Sequence, residues 1–118
     1  MRHEPSFLKD ILSACRKIEA IVEATNEGSF LKDEVLPAAV LHHLTVIGEA
    51  ISRLSVELRE RHPDVPWRQI IAVRHRIVHA YFDLDWQILW DAATGDIPGL
   101  HRQVLDILKG EFSESASE

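Results

Sequence analysis

Apolar positions recur along this chain at spacings of three and four almost from end to end, the period of helices that bury one face. Phe7, Leu8, Ile11, Leu12, Cys15, Ile18 and Val22 make the first stripe. Ser6 is placed to cap it and Gly28 to stop it, so a first helix is expected over about residues 6–26. Val40, Leu44, Ile47, Ile51, Leu54 and Leu58 then alternate steps of four and three, a heptad seam of the kind found in bundles and short coiled coils. Asp33 can cap this second helix, Pro37 is tolerable in its first turn, and His62-Pro63 ends it. About 26 residues at 1.5 Å each predict a rod of ~39 Å. Gly48 lies beside the seam and would permit a close helix approach.

Pro63-Asp64-Val65-Pro66 reads as a turn, with Pro66 suited to the first position of a third helix because it has no N–H to leave unpaired. That helix is expected to run from Trp67 towards Phe82, burying Trp67, Ile70, Ile71, Ile77 and Val78. Asp83 or Asp85 can cap a fourth, containing Trp86, Ile88, Leu89 and Ala92, which Thr94-Gly95-Asp96-Ile97-Pro98 should kink or break. A last segment from Pro98 to about Lys109 carries Leu100, Val104, Ile107 and Leu108. The Ser/Glu-rich end is expected to be a disordered tail, giving a domain over 1–109 and a tail over 110–118. No strand pattern, hairpin signal or repeat stands out. The expected class is all-α, an up-and-down bundle of four main helices with the last kinked or broken.

Composition narrows what such a bundle can do. The 118 residues suffice for one domain, and 46% apolar with 27% charged residues is a globular profile rather than a disordered one. A single cysteine, Cys15, permits no internal disulfide and falls in the first apolar stripe, where it reads as core. No apolar run approaches the ~18 residues of a membrane helix, and the start lacks a signal-peptide layout, so a cytoplasmic location without membrane association is expected. A net charge of -6 argues against a general nucleic-acid coat protein. Its distribution changes the picture: Val65 to Phe82 contains no acidic residue but holds Arg68, Arg74, Arg76, His75 and His79. That window carries +3 against -9 elsewhere, a local basic strip suited to a confined anion site.

The densest chemistry is Arg74-His75-Arg76-Ile77-Val78-His79-Ala80-Tyr81. Arginine forks onto phosphate oxygens, and histidine gives or takes a proton near neutral pH. Together they are the minimum kit for cleaving RNA without a metal: one group handles the proton of the ribose 2′-hydroxyl or of the leaving oxygen, the other stabilises charge on phosphorus. On an ideal helix, however, Arg74 and His79 stand about 140° apart. Either the helix opens near His79, or two copies of the motif share one site across a dimer. His75 and His79 have the spacing of a zinc pair, but no Glu follows His75 and no carboxylates or cysteines complete a set. No metal and no cofactor are expected, and no Gly-rich nucleotide loop is present.

Arg, four residues, His, one residue, Tyr, standing here as Arg74, His79 and Tyr81, resembles the signature of the HepT-like branch of the HEPN proteins. Ile47-Gly48-Glu49-Ala50 resembles the family's second-helix segment, Pro66-Trp67-Arg68-Gln69-Ile70 the lead-in to its catalytic helix, and Phe82-Asp83-Leu84-Asp85 its exit. The likeness extends over about residues 6–109. It implies a homodimeric helical bundle and a metal-independent endoribonuclease toxin acting on RNA, with Arg74 and His79 catalytic. It also implies a partner, an MntA-like nucleotidyltransferase antitoxin that transfers AMP to Tyr81. Many HEPN proteins carry Asn or Asp after the motif arginine; this chain has His75, a departure that bears on the proton chemistry. Arg76, Glu49 and Arg53 are supporting candidates, the last two alternatively a structural ion pair. Tyr81 could instead pack its ring on Ile77 and Trp67. Two rival readings of the chain are a non-catalytic dimeric module that docks a nucleotidyltransferase, and a plain helical scaffold.

Overall fold

The structure, a computed structural model, describes residues 4–80 and 83–113, without the side chains at 74, 78–80, 83 and 84. The first stripe winds into α1 (Glu4–Glu23), burying Leu8, Ile11, Leu12, Cys15 and Ile18. Ser6 lies inside this helix rather than capping it. Nor does Gly28 stop it. The chain turns at Thr25 and restarts, because the Asn26 side chain accepts from Ser29 N at 3.0 Å and caps a short α2 (Glu27–Lys32) that contains Gly28. This helix places Phe30 fully in the core, tilted against Trp90 with ring centroids 5.0 Å apart.

Asp33 takes the capping role expected of it. Its Oδ1 accepts from Val35 N at 2.7 Å and Leu36 N at 2.9 Å, and these two bonds hold its carboxyl below the ordinary carboxylate range. The rod that follows is broken: α3 (Leu36–Arg53) ends and α4 (Val56–Arg61) begins afresh. The cause is Ser55. Its hydroxyl accepts from Leu58 N at 3.1 Å, and its own N–H donates to Glu4 Oε1 at 2.7 Å, so both groups find partners outside a continuous helix. The seam nevertheless stays on one side, with Val40, Leu44, Ile47, Ile51, Leu54 and Leu58 all buried. It is satisfied within one chain and supplies no argument for a dimer. At Gly48 a Cβ would meet nothing within 4 Å among the described residues, so no close helix approach there uses the missing side chain.

The third helix, α5 (Trp67–Ile77), is shorter than the pattern predicts. It buries Trp67, Ile70, Val73 and Ile77, while Ile71 is only half-buried. After Ile77 the chain opens into β1 (Val78–Ala80), paired antiparallel with β2 (Asp83–Leu84), a local strand pair that the sequence pattern did not signal. The fourth helix starts where Asp85 Oδ1 accepts from Gln87 N and Ile88 N, both at 3.1 Å, and runs as α6 (Trp86–Asp91). Ala92–Asp96 then form a π-helical turn, with the N–H of Ile97 reaching back to Ala92 O, before α7 (Ile97–Glu111). Pro98 explains it: without an N–H, and with a ring that crowds the carbonyl one turn back, it is relieved by an extra residue in the preceding turn. Four main helices thus carry the all-α bundle: α1, α3, α5 and the α6–α7 run. Among the described residues no polar or charged side chain is buried, and no helix is long and apolar enough to cross a membrane.

The end of α7 departs from the expected boundary, for Gly110 and Glu111 are helical and Phe112 packs on the core. Glu111 ties α7 to the end of α4, accepting from Arg61 at 2.7 Å and pairing with His62. The Arg61 hydrogen bond, with a lesser part from His62, holds the Glu111 carboxyl below its usual range despite some opposing desolvation. A carboxylate so depressed stabilises the fold above its unfolded pKa of ~4.3, and that stability disappears as pH falls through its folded value. Thermal midpoints of wild type and Glu111→Gln should therefore differ most above the unfolded pKa of ~4.3 and draw together as pH falls through the depressed folded value. Curves that coincide across that range would show that the clasp contributes nothing.

Candidate active site

The motif straddles a change of structure. Arg74 sits in the last turn of α5. His79 lies beyond the helix, in β1. The helix therefore opens two residues before His79, and the 140° separation of an ideal helix does not apply. The opening has a local cause: the carbonyl of Ile77 accepts from the N–H of Asp85 at 2.9 Å, while the Asp85 carboxylate caps α6. Asp85 thus closes a short excursion at its base, with β-branched Val78 paired opposite Leu84 and Ala80 opposite Asp83. Tyr81 falls between the strands, outside the described residues.

The supporting candidates divide between two sides of α5. His75 is exposed and faces α3, where it lines a groove of about 110 Å³ with Ile71, Leu44, Thr45, Gly48, Glu49 and Ser52. The open space over Gly48 is part of that groove. Glu49 and His75 are therefore brought to one place from helices far apart in sequence. Arg53, exposed in the last turn of α3, is not among its walls. Arg76 points the other way, into a cavity of about 410 Å³ lined also by Pro66, Gln69, Ile70, Ala72 and Asp96. Sequence reasoning passed over Gln69 and Asp96. The available signal was the seven-residue interval between Gln69 and Arg76, two turns on one face of α5.

All four supporting groups are exposed, and the groove and cavity lined by three of them open to solvent. Among the described residues no three of His, Cys, Asp and Glu stand where they could hold a metal ion together. Cys15 takes no part: it is fully buried on α1, and burial, with a smaller contribution from Glu19, pushes its thiol up to about 12, leaving it unreactive.

The pattern of the Ribonuclease HepT-like family matches residues 11–107, from the middle of α1 to the last turns of α7. The chain belongs to the HepT-like ribonuclease family. Individual relatives agree. A protein of Caldanaerobacter subterraneus subsp. tengcongensis named as a candidate RNase is 36% identical over 94% of this chain and 99% of its own. One of Thermococcus cleftensis, named as a candidate ribonuclease HepT, is 34% identical over 96% of each. A candidate RNase of Methanocaldococcus jannaschii is 33% identical over 88% of this chain and 86% of its own. No solved structure matches. The HepT-like chain is thus a ribonuclease by family, and the bundle around its motif is HEPN-like.

Proposed function

We propose that this chain is a metal-independent endoribonuclease toxin, acting in the cytoplasm as a two-fold homodimer with Arg74 and His79 as its catalytic pair. The observation that carries the reading is the family match, which spans the whole of the Arg74-to-Tyr81 motif. In the reaction the ribose 2′-oxygen bonds to phosphorus and the bond from phosphorus to the 5′-oxygen breaks. His79 as imidazolium gives its proton to the leaving 5′-oxygen, and Arg74 holds the non-bridging oxygens as charge builds on them. With two motifs facing across a two-fold axis, the second His79 accepts the 2′-proton.

The exposure of the site supports the dimer. Fixed charges stabilise a transition state strongly only where water is excluded, and the open surface around His75 and Arg76 excludes little. A second copy laid over it supplies the cover. The test is a cleavage assay with purified chain and a defined oligoribonucleotide. The expected products carry a cyclic phosphate and a free 5′-hydroxyl, chelator leaves the rate intact, and a 2′-deoxy residue at the cut stops it. Chelator-sensitive cleavage sinks the mechanism. No cleavage at all, with retained binding to a nucleotidyltransferase, favours the non-catalytic docking module.

Regulation follows from the same motif. The proposed partner is an MntA-like nucleotidyltransferase antitoxin that moves AMP onto the Tyr81 phenol, as in a toxin–antitoxin pair. The phenol oxygen bonds to the α-phosphorus of ATP, pyrophosphate leaves, and the phenolic proton goes to a base of the partner. An AMP phosphate beside Arg74 and Arg76 would compete with RNA for the same donors. Tyr81→Phe should keep cleavage but escape silencing when co-expressed with the nucleotidyltransferase, and the wild-type peptide should gain one AMP by mass spectrometry. A Tyr81→Phe chain silenced as readily as wild type overturns the assignment.

A further inference from the structure

The Arg76 cavity has the chemistry of a nucleobase subsite. Its volume of about 410 Å³ lies within the range of small-ligand sites, large enough for a base with part of its ribose. Gln69, Ala72 and Arg76 run along one side of α5, so a flat ring can lie over the small Ala72 side chain between two polar ones. Asp96 enters from the π-helical turn on the other side. Its position is the start of α7, yet its side chain makes no capping bond there, so the carboxylate is not committed to the backbone. Arg76 belongs to the same last turn of α5 as Arg74, so the cavity reaches the end of the helix that carries the motif arginine.

We propose that this cavity holds a guanine base of the RNA adjacent to the scissile phosphate, read by Asp96 and Gln69 while Arg76 holds its phosphate; the proposal rests on the ribonuclease reading above. The choice of guanine follows from donor and acceptor order. A carboxylate offers two acceptors side by side, and among the four bases guanine alone presents two adjacent donors, N1–H and the 2-amino group. Adenine and cytosine set a ring acceptor beside their amine, and uracil sets carbonyls beside its N–H, so each meets Asp96 with one repulsive contact. The Gln69 amide donates to guanine O6 from the α5 side. A negative residue in a site for a polyanion is thereby accounted for: it reads a base edge and stands apart from the phosphate.

Two readouts test this. In the first, oligoribonucleotides carrying guanine, inosine, adenine, cytosine or uracil beside the cut are compared. Wild type should cleave beside guanine roughly ten- to hundredfold faster than beside inosine, which lacks the 2-amino group, and Asp96→Asn should flatten that ratio. In the second, guanosine monophosphate and adenosine monophosphate are titrated into the protein by calorimetry, with no cleavage required. Guanosine monophosphate should bind more tightly, and Asp96→Asn and Gln69→Ala should each weaken it by about tenfold or more. Cleavage with no base preference, or a preference unchanged by Asp96→Asn, overturns the subsite and leaves the ribonuclease standing. Guanosine binding that depends on Asp96 in a chain that cuts no RNA upholds the subsite and overturns the ribonuclease reading. Equal binding of both nucleotides overturns the subsite in either case.

Discussion

His79→Ala and Arg74→Ala should each slow RNA cleavage by about a thousandfold, with helix content unchanged. Positioned proton transfer contributes about 10²–10⁴ to a rate, and a preorganised donor to a developing oxyanion about 10²–10³. The proposed mechanism draws both roles from one short segment, at the end of α5 and in β1. If, as proposed, the two side chains act on one transition state, the double variant should fall no further than the worse single one. Lys at position 74 should rescue little, because a point charge lacks the planar fork that grips two phosphate oxygens. The measurement is single-turnover cleavage beside far-ultraviolet circular dichroism. A rate that survives either substitution within threefold would remove that residue from the catalytic pair; a variant that loses its helices would point to a scaffold role instead.

The second large effect lies at the other end of the same helix. Trp67 is 6% exposed, and its indole N–H donates to the carbonyls of both Arg59, at 3.2 Å, and His62, at 3.1 Å. Those carbonyls lie at the end of α4 and also accept from the backbone N–H groups of His62, at 3.3 Å, and Val65, at 3.2 Å, so the indole adds a second donor to each. Trp67→Ala removes the ring from the core and both hydrogen bonds, which should cost about 3–5 kcal/mol. Trp67→Phe keeps most of the ring and should cost nearer 1 kcal/mol, the net worth of the lost bond. For a domain of this size the Ala variant should melt roughly 10–20 °C lower. Because Trp67 begins the helix whose last turn carries Arg74, cleavage should disappear at a lower temperature in step with the melt. A midpoint within 2 °C of wild type would show that α5 is anchored elsewhere.

The helical stripes, their buried positions and the motif could all be read along the chain, because side-chain burial in a helix follows a fixed angular step. Every seam residue from Val40 to Leu58 is buried as its spacing requires. Asp33 and Asp85 cap the helices they were expected to cap, since the bond from a short carboxylate to a following N–H is local. What escaped notice was competition between local and distant partners. Ser55 breaks the rod partly because Glu4, 51 residues away, accepts its N–H. Ile77 ends α5 because its carbonyl goes to Asp85 across the strand pair. Periodicity carries neither fact, so it extends both helices too far.

The same division runs through the site. Sequence alone determined which residues can do the chemistry: a permanent cation at Arg74, a titrating ring at His79 and a phenol at Tyr81, at intervals shared with a ribonuclease family. The tertiary structure decided how the backbone that carries Arg74 and His79 is laid out. It released His79 from the helix that holds Arg74, joined Glu49 to His75 in one groove, and joined Asp96 to Gln69 and Arg76 around one cavity. The reason is physical. The type and spacing of side chains are properties of a chain segment, whereas the meeting of residues 20 or more positions apart depends on how packed helices cross, and no local preference encodes that crossing.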